Sequence, residues 1–376
     1  MSAATSAYAI QTMNTRAKWA LLFALTIALA AAIALAGWRV WRRFSGGAGE
    51  RLTEKDLPEL KKRLDENPKS IFMFDALTSY RLKPSFRGLR HDSESEPHAT
   101  DSLGFLGERE VDPDPSVAKI LVLGDSVAYG SYLPYPATFV PRMQEEAGES
   151  VQFLNAACPG WSTHQELAAY RRYYSGLPLR GVLVVFCLND LLRFEWVWKS
   201  ETSFRMSAEL SDLGGLVHSA LSDASLRRVH EGFAAETALS PLSGLNNTCL
   251  NAWLPETWRR FREQSIPAFR ECSGRTACFL AAAPARPQIE ALERGADPAI
   301  VLYPQERIKE ICAEAGWTYL DLLGAFRTET GGYDGEAFLP GEEGMLHFSA
   351  EGHRRLADWL WPRLRSELRL ETPSAR

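Results

Sequence analysis

The sequence lacks an excess of basic residues. Its 42 Lys and Arg residues are outnumbered by 47 Asp and Glu residues, which leaves a formal net charge of −5 at pH 7. A nucleic-acid surface needs clustered positive charge, so nucleic acid is excluded as a partner. The chain also has no internal repeat and no low-complexity tract after residue 45. Its 376 residues suit one globular domain with an N-terminal extension.

Cysteine is scarce and has no metal-binding pattern. The six cysteines are Cys158, Cys187, Cys249, Cys272, Cys278 and Cys312. No two of them have the spacing of metal ligands, and no histidine cluster lies near them in the sequence. We therefore expect neither a metal nor another cofactor. Cys158, Cys187 and Cys312 stand among apolar residues, which predicts inert packing thiols.

Charged residues are absent from residues 19–38, WALLFALTIALAAAIALAGW. About twenty apolar residues, at ~1.5 Å of helix rise each, can cross a hydrocarbon layer of ~30 Å. Trp19 and Trp38 stand at its two ends, where aromatic residues suit the membrane interfaces. We predict a single membrane span here. The alternative is a cleaved secretion signal that ends near residues 34–36.

The rest of the chain divides by composition. Residues 1–45 form the tail and anchor, residues 46–117 are predicted to be a polar stalk and lead-in, and residues 118–370 are predicted to be the main domain. An insertion is predicted at about residues 191–277. It begins with the aromatic-rich segment FEWVWKSETSF, which suits either a wall around an acyl chain or sugar, or ordinary core packing.

Five apolar runs punctuate the main domain: KILVLG, VQFLN, GVLVVFC, CFLAAA and WTYLDLL. Segments with helical spacing, such as YPQERIKEICAEAG, separate several of them. This alternation predicts an α/β fold with a doubly wound sheet of about five parallel strands. Ligands bind such sheets beyond the carboxyl ends of the strands, where Ser126, Gly160 and Asn189 all fall.

These residues have the chemistry of acyl transfer. The reaction needs a nucleophilic hydroxyl, an imidazole that takes its proton, and hydrogen-bond donors for the oxygen that becomes negative. Ser126 offers the hydroxyl and its own backbone N–H, Gly160 offers an unobstructed N–H, and Asn189 offers a side-chain NH₂. His347 lies in a predicted loop before the last helix and can face the same edge of the sheet. Each residue alone is equally typical of a turn or a helix cap.

Four motifs in order, GDSVAYG, NAACPGW, CLND and HFSAEGH, resemble the four blocks of the SGNH hydrolases, also called GDSL esterases. The resemblance covers roughly residues 72–368. The lead-in motifs YRLKPSF and DSLGFLG are similar to those of membrane-tethered bacterial members. The resemblance implies a flavodoxin-like three-layer sandwich.

The resemblance also implies the roles of the site residues. Ser126 corresponds to the nucleophile and His347 to the base. Ser126, Gly160 and Asn189 correspond to the oxyanion donors, and Asp125 takes a supporting role beside the nucleophile. His353 is an alternative base, but its place at the start of a helix favours a packing or capping residue.

The chain departs from the family at Gly344, where the pattern has an Asp that orients the histidine. Such an acid fixes the histidine tautomer and stabilises the imidazolium ion. We expect the carboxylate of Glu343 to replace it, because the nearby Gly341 and Gly344 let the longer side chain fold back. The alternative is that a backbone carbonyl holds the ring. Asp at position 344 is expected to raise activity if the family geometry is otherwise kept.

The orientation of the domain rests on two opposing signals. Two basic residues precede the span and three arginines follow it, which mildly favours a cytoplasmic domain. The tethered relatives are extracytoplasmic, and we follow the resemblance to an outward, periplasmic domain. Exposed thiols would then be oxidised. Cys272 and Cys278 flank a predicted turn, SGRTA, and are the predicted pair, because a helix would hold Cys249 ~30 Å from Cys272.

Three functions follow from the sequence. The first is a serine esterase, lipase or carbohydrate deacetylase that cleaves a small-molecule or glycan ester through an acyl-enzyme on Ser126. The second is an O-acyltransferase that passes the acyl group to an envelope polysaccharide. The third is a catalytically silent binding module, suggested by Gly344.

Overall fold

The computed structural model describes residues 50–51, 58, 62, 65–89, 96–191, 193–200, 203–209, 242, 245, 247–328 and 332–370. The predicted membrane span at residues 19–38 lies outside these ranges. Among the helices within them, none is both long and apolar enough to cross a membrane.

Twelve strands are found in the described ranges. They are β1 (Glu50–Arg51), β2 (Phe72–Asp75), β3 (Ser79–Leu82), β4 (Arg87–Leu89), β5 (Pro97–Ala99), β6 (Ala118–Gly124), β7 (Val151–Asn155), β8 (Leu179–Phe186), β9 (Arg193–Ser200), β10 (Ser203–Glu209), β11 (Ala277–Ala282) and β12 (Thr318–Asp321).

The α-helices of the same ranges are α1 (Ser126–Tyr129), α2 (Phe139–Ala147), α3 (Thr163–Ala169), α4 (Asn247–Leu250), α5 (Pro255–Ser273), α6 (Arg286–Glu293), α7 (Pro298–Val301), α8 (Tyr303–Ala315) and α9 (Ala350–Glu367). One π-helical turn, Tyr170–Tyr174, continues α3.

Five strands form one parallel sheet in the order β12–β11–β8–β6–β7. Strand β6 lies between its neighbours with Leu121 beside Leu154 on one side and Val182 on the other. Strand β7 is buried throughout and β6 almost so, as apolar runs are when helices cover both faces. If the five strands are numbered by their order along the chain, their order across the sheet, read from β7, is 2-1-3-4-5. The predicted doubly wound sheet of five parallel strands is confirmed.

Helices cover both faces of this sheet. The chain moves from β6 to β7 in one direction and from β7 through β8 and β11 to β12 in the other. Right-handed crossovers therefore put α2 on one face and α3, α5 and α8 on the other. Helix α9 packs on α2, and α5 packs on α3 and α8. The direction changes between β6 and β8, so the carboxyl ends of these two strands border the crevice where such sheets bind ligands.

The segment predicted as a stalk and lead-in differs from that expectation. Its described part contains two hairpins, β2–β3 and β4–β5, and residues such as Tyr80 and Phe105 are buried. The Leu106 N–H donates to the Asn155 carbonyl at the end of β7, at 2.8 Å. These apolar side chains and hydrogen bonds make the lead-in part of the main domain.

The predicted insertion also needs a correction. Helix α5 falls within the expected range 191–277. It is the crossover between β8 and β11, and it packs against the five-stranded sheet. Trp258, Phe261 and Phe269 lie on its buried face. These residues are therefore part of the core. Residues 210–241 and the side chains of FEWVWKSETSF lie outside the description, so the predicted substrate wall stays a prediction.

Two compact units can be distinguished along the chain. One comprises residues 54–195 and 206–376 and contains the five-stranded sheet. The other comprises residues 1–53 and 196–205. Strand β1 pairs antiparallel with β9, with Glu50 opposite Trp198, and a three-stranded sheet has the order β1–β9–β10.

All six cysteines are buried and carry free thiols. Burial raises the pKa of the Cys158, Cys187 and Cys312 thiols. This fits packing residues, but the Cys187 thiol also hydrogen-bonds Asp125 and Asn189, so the prediction of an inert packing thiol does not hold for Cys187. The sulfur atoms of Cys272 and Cys278 lie 3.2 Å apart, where the end of α5 meets the start of β11. The structure thus brings the predicted pair together as two thiols.

Candidate active site

Ser126 is the first residue of α1 and directly follows Asp125 at the end of β6. The Asp125 side chain caps this helix, because its Oδ1 accepts a hydrogen bond from the Val127 N–H at 2.8 Å. Asp125 is fully buried. Strand, cap and helix therefore fix the Ser126 hydroxyl at the carboxyl edge of the sheet.

Asn189 reaches the same edge from the next strand. It lies in a short 3-10 helix, Leu188–Leu191, that follows β8. Its Nδ2 donates to Asp125 Oδ2 at 3.0 Å, and Ser126 Oγ lies 3.3 Å from that same oxygen. The Cys187 thiol contacts both Asp125 and Asn189. Asp125 thus holds the Asn189 amide next to the serine.

His347 completes the contact expected of a base. Its Nε2 lies 2.8 Å from Ser126 Oγ, across 221 residues of sequence. The ring comes from the loop that precedes α9, which Ser349 caps through a hydrogen bond from the Gly352 N–H. The structure brings Ser126, Asn189 and His347 to one place, as the sequence predicts.

Gly344 stands where the family has the acid that orients the histidine. The partner of the other ring nitrogen shows what orients His347 instead. His347 Nδ1 lies 2.8 Å from the backbone carbonyl oxygen of Glu343. A carbonyl only accepts hydrogen bonds, so Nδ1 carries the proton and Nε2 has the free lone pair that faces Ser126. The same carbonyl accepts from the His347 N–H at 3.2 Å.

The expectation for the Glu343 carboxylate therefore differs from the structure. The short helix Glu343–Met345 turns the main chain so that the carbonyl, not the side chain, meets the ring. The carboxylate lies beside Gly341. The alternative of a backbone carbonyl describes the observed geometry.

Gly160 lies in the loop after β7, with a φ of +76° that favours glycine. The Cys158 N–H donates to the carbonyl of Gly124, which precedes the Asp-Ser pair, at 3.0 Å. This bond ties the Gly160 loop to the strand end that delivers Ser126. The loop and the nucleophile therefore share the edge of the sheet.

The residues of this site lie within the part of the chain that one known family matches. A family model described as the GDSL-like Lipase/Acylhydrolase family matches residues 122–355. The chain belongs to this family. The resemblance of the four motifs is thereby confirmed, whereas membrane tethering stays a prediction. No curated protein matches the chain.

Solved structures are similar to this GDSL-family protein at low identity. The lipase/acylhydrolase from Enterococcus faecalis is 17% identical, with coverage of 69% of this chain and 100% of that chain and a TM-score of 0.41. A catalytic mutant of Axe2, an acetylxylan esterase from Geobacillus stearothermophilus, is 14% identical. That match covers 69% of this chain and 98% of that chain, with a TM-score of 0.42.

Gly344 has no room for the acid that this GDSL-family chain lacks. A Cβ at this position would lie 1.6 Å from the backbone oxygen of Leu339 and 2.5 Å from its carbonyl carbon. Backbone atoms cannot yield as a flexible side chain does. The structure therefore argues against the expectation that Asp at position 344 would raise activity, which stays untested.

Arg286 was not singled out from the sequence, yet it holds the loop that supports His347. Its two terminal nitrogens donate to the carbonyls of Leu339 and Gly341, at 3.0 and 2.8 Å. Leu339 N–H in turn donates to the His347 carbonyl at 3.0 Å. Its position in the sequence could have indicated this role. Arg286 is the first residue of α6, just after the carboxyl end of β11, which is the edge of the sheet where the site lies.

Two buried acids lie behind the nucleophile. Burial, followed by the negative charge of Asp125, raises the pKa of Glu166 and of Asp190 well above the usual values. Asp190 Oδ2 accepts from the Cys187 N–H at 2.9 Å. In the described part of the chain, neither oxygen of Glu166 has a hydrogen-bond partner. Burial thus favours the protonated form of both acids.

A metal is not needed to explain this cluster. The possible ligand atoms of Asp125, Cys187 and Asp190 lie within 4.8 Å of one another. These atoms already exchange hydrogen bonds with one another and with Asn189. We assign them to the hydrogen-bond network of the nucleophile.

His353 has the environment of a packing residue. It is fully buried in α9, stacks on Phe139 at 5.8 Å between ring centroids, and accepts from the Phe139 N–H at 3.3 Å. Burial lowers the pKa of its imidazole to about 3. A group that stays neutral and is engaged by the backbone is a poor alternative to His347.

A cavity of about 740 Å³ opens beside His347. Its lining combines charged side chains, among them Arg286, Glu290 and Glu342, with the apolar side chains of Leu245, Met345 and Leu346. Tyr132 borders the same cavity and meets the His347 ring edge-on, with 5.0 Å between centroids. Its φ of +71° is unusual for a residue with a side chain, and such backbone strain concentrates at functional sites.

We predict that Gly344→Asp destabilises the protein and lowers its activity. The new side chain overlaps the Leu339 carbonyl, and forced packing of this kind costs about 1–3 kcal/mol or more. Thermal unfolding and ester hydrolysis measure the effect. Gly335→Asp is the matched control, because a Cβ there meets no atom within 4 Å. Higher activity in Gly344→Asp than in the natural chain would contradict the geometry.

Proposed function

We propose that the chain is a serine hydrolase that cleaves carboxylic esters through an acyl-enzyme on Ser126. The observation that carries the proposal is the 2.8 Å contact between Ser126 Oγ and His347 Nε2. It is combined with a carbonyl at Nδ1 that selects the tautomer able to act as a base. Membership of an acylhydrolase family supports the same reaction class.

The reaction proceeds in two halves. Ser126 Oγ attacks the ester carbonyl carbon while its proton moves to His347 Nε2. The negative oxygen of the intermediate accepts hydrogen bonds from Gly160 N–H, Ser126 N–H and the Asn189 amide. The intermediate expels the alcohol, which takes the proton from His347. Water then attacks the acyl-enzyme with the same base, which releases the acid and restores Ser126.

The carbonyl at Nδ1 can orient His347 in place of an acid. Loss of the acid in a serine protease costs ~10⁴ in rate, mainly because the histidine adopts the wrong tautomer. Here the Glu343 carbonyl selects the correct tautomer. It carries a partial rather than a full negative charge, so it stabilises the imidazolium ion less than a carboxylate does. We expect moderate turnover, above that of a silent module.

The cavity beside His347 favours a polar substrate. An acyl chain of many carbons would also lie against Glu290, Glu342 and Arg286, and removing water from charged groups is costly. Hydroxyl groups of a carbohydrate can exchange hydrogen bonds with the same side chains. We therefore favour a short acyl group on a polyhydroxylated alcohol over a long-chain lipid.

An acyltransferase is the second candidate. It shares the first half-reaction and differs only in the acceptor. The size of the cavity, about 740 Å³, supports it because a sugar hydroxyl has room to replace water. Hydrolysis of p-nitrophenyl acetate with and without an added glycan separates the two, since acyl transfer makes turnover depend on the glycan.

We predict that Ser126→Ala lowers turnover of p-nitrophenyl acetate by about 10³-fold or more, because the nucleophile is lost. Labelling by a fluorophosphonate should vanish in parallel. Ser131→Ala is the matched control, since this nearby buried serine has no part in the proposed chemistry. Normal turnover in Ser126→Ala would refute the proposal, and an inert natural chain would support the binding module.

We also propose that residues 19–38 anchor the chain in a membrane with the catalytic unit outside the cytoplasm. The proposal rests on the apolar run and on the resemblance to tethered relatives. The 3.2 Å approach of the Cys272 and Cys278 sulfur atoms gives it a test.

In the chain purified from its native compartment, we predict a Cys272–Cys278 disulfide, because close thiols outside the cytoplasm are oxidised. Mass spectrometry of unreduced peptides should find the bridge. A loop this short adds about 2 kcal/mol of stability, which reduction should remove. Cys312, buried elsewhere, is the control and should stay free. Finding Cys272 and Cys278 reduced would contradict the outward orientation.

A further inference from the structure

The peptide between Pro159 and Gly160 is held from outside the matched family region. The Tyr80 hydroxyl, on β3 of the lead-in, donates to the Pro159 carbonyl at 2.8 Å. The peptide is trans, as are all peptide bonds of the described chain. In a trans peptide the C=O and the N–H point in opposite directions. The bond to Tyr80 therefore directs the Gly160 N–H away from Tyr80.

We propose that Tyr80 is a positioning residue of the oxyanion hole: its hydroxyl fixes the plane of the Pro159–Gly160 peptide and so aims the Gly160 N–H. The inference rests on the proposed function, in which Gly160 is an oxyanion donor. It adds a residue of the lead-in, 46 positions before the nucleophile, to the support of the reaction.

Tyr80 is itself held rigidly. Its side chain is fully buried, and its ring packs edge-on against Phe72 with 5.6 Å between centroids. The Trp161 indole N–H donates to the Tyr80 carbonyl at 2.9 Å. Hairpin and loop thus hold each other on both sides of Gly160, through the residue before it and the residue after it.

A third bond joins the two segments. Gln165, in the first turn of α3, donates to the Thr78 carbonyl at 2.7 Å. The loop that carries Gly160 is therefore bonded to the hairpin along its length. A loop with a positive φ at Gly160 can rotate its peptide planes easily, and these bonds oppose that rotation.

The Tyr80 hydroxyl is suited to a permanent donor. Burial, followed by the negative charges that Cys158 and Asp125 can carry, raises the pKa of this phenol well above its usual value. The Tyr80 hydroxyl therefore keeps its proton and remains a hydrogen-bond donor. Its contribution is geometric, because its hydroxyl bonds the Pro159 carbonyl rather than a reacting atom.

Tyr80→Phe tests the inference, since it removes one oxygen and keeps the ring. We expect kcat for p-nitrophenyl acetate to fall about tenfold or more while KM stays within twofold. The reason is that a misdirected Gly160 N–H stabilises the transition state less. Affinity for a trifluoromethyl ketone, which forms a negative oxygen on Ser126, should fall by the same factor as kcat. Circular dichroism checks the fold.

Tyr173→Phe is the matched control. The Tyr173 hydroxyl bonds Asp75 of the same hairpin but not the Gly160 loop, so its loss weakens the hairpin without freeing the peptide. We expect its kcat and ketone affinity to stay within twofold of the natural chain. Unchanged kcat in Tyr80→Phe, or an equal loss in Tyr173→Phe, would overturn the inference. An inert natural chain would instead refute the proposed function itself.

Discussion

The hydrogen bond between the Glu343 carbonyl and His347 Nδ1 is the interaction on which the candidate site depends. With Nδ1 protonated, Nε2 is the basic nitrogen at 2.8 Å from Ser126 Oγ. Without this bond the ring could turn or change tautomer, and Ser126 would have no proton acceptor. A main-chain atom therefore does the orienting work that a carboxylate does in the family pattern. The bond orients the ring but supplies only a partial negative charge. The usual acid both orients the ring and stabilises the imidazolium ion, and here these two roles are separated.

A main-chain acceptor is only as well placed as the loop that carries it. Arg286 fixes that loop through the carbonyls of Leu339 and Gly341, and Gly344 lets the chain pass close to Leu339. A carboxylate does lie close to the nucleophile, because Asp125 Oδ2 is 3.3 Å from Ser126 Oγ. The raised pKa values of Glu166 and Asp190 follow partly from this charge. Such acids bind more protons in the folded than in the unfolded state, so their own contribution to stability falls as pH rises above their usual pKa values.

The sequence was informative wherever side chains carry the information. Five apolar runs predicted the five strands of the sheet, and residues at the strand ends predicted where Ser126 and Asn189 meet His347. It was less informative where the backbone acts. A motif cannot reveal that the Glu343 carbonyl faces a ring, or that Gly344 passes Leu339 too closely for a side chain. The lead-in was misjudged as a stalk because its strands are only three or four residues long, although Tyr80 and Thr78 bond residues about 80 positions away.

Turnover of Glu343→Gln is the measurement that tests the central claim most directly. The substitution removes the carboxylate but keeps the backbone carbonyl that bonds His347. The account predicts that kcat for p-nitrophenyl acetate stays within about twofold of the natural value. A drop of tenfold or more, equal to about 1.4 kcal/mol or more of transition-state stabilisation, would show that the carboxylate orients the histidine and would contradict the account.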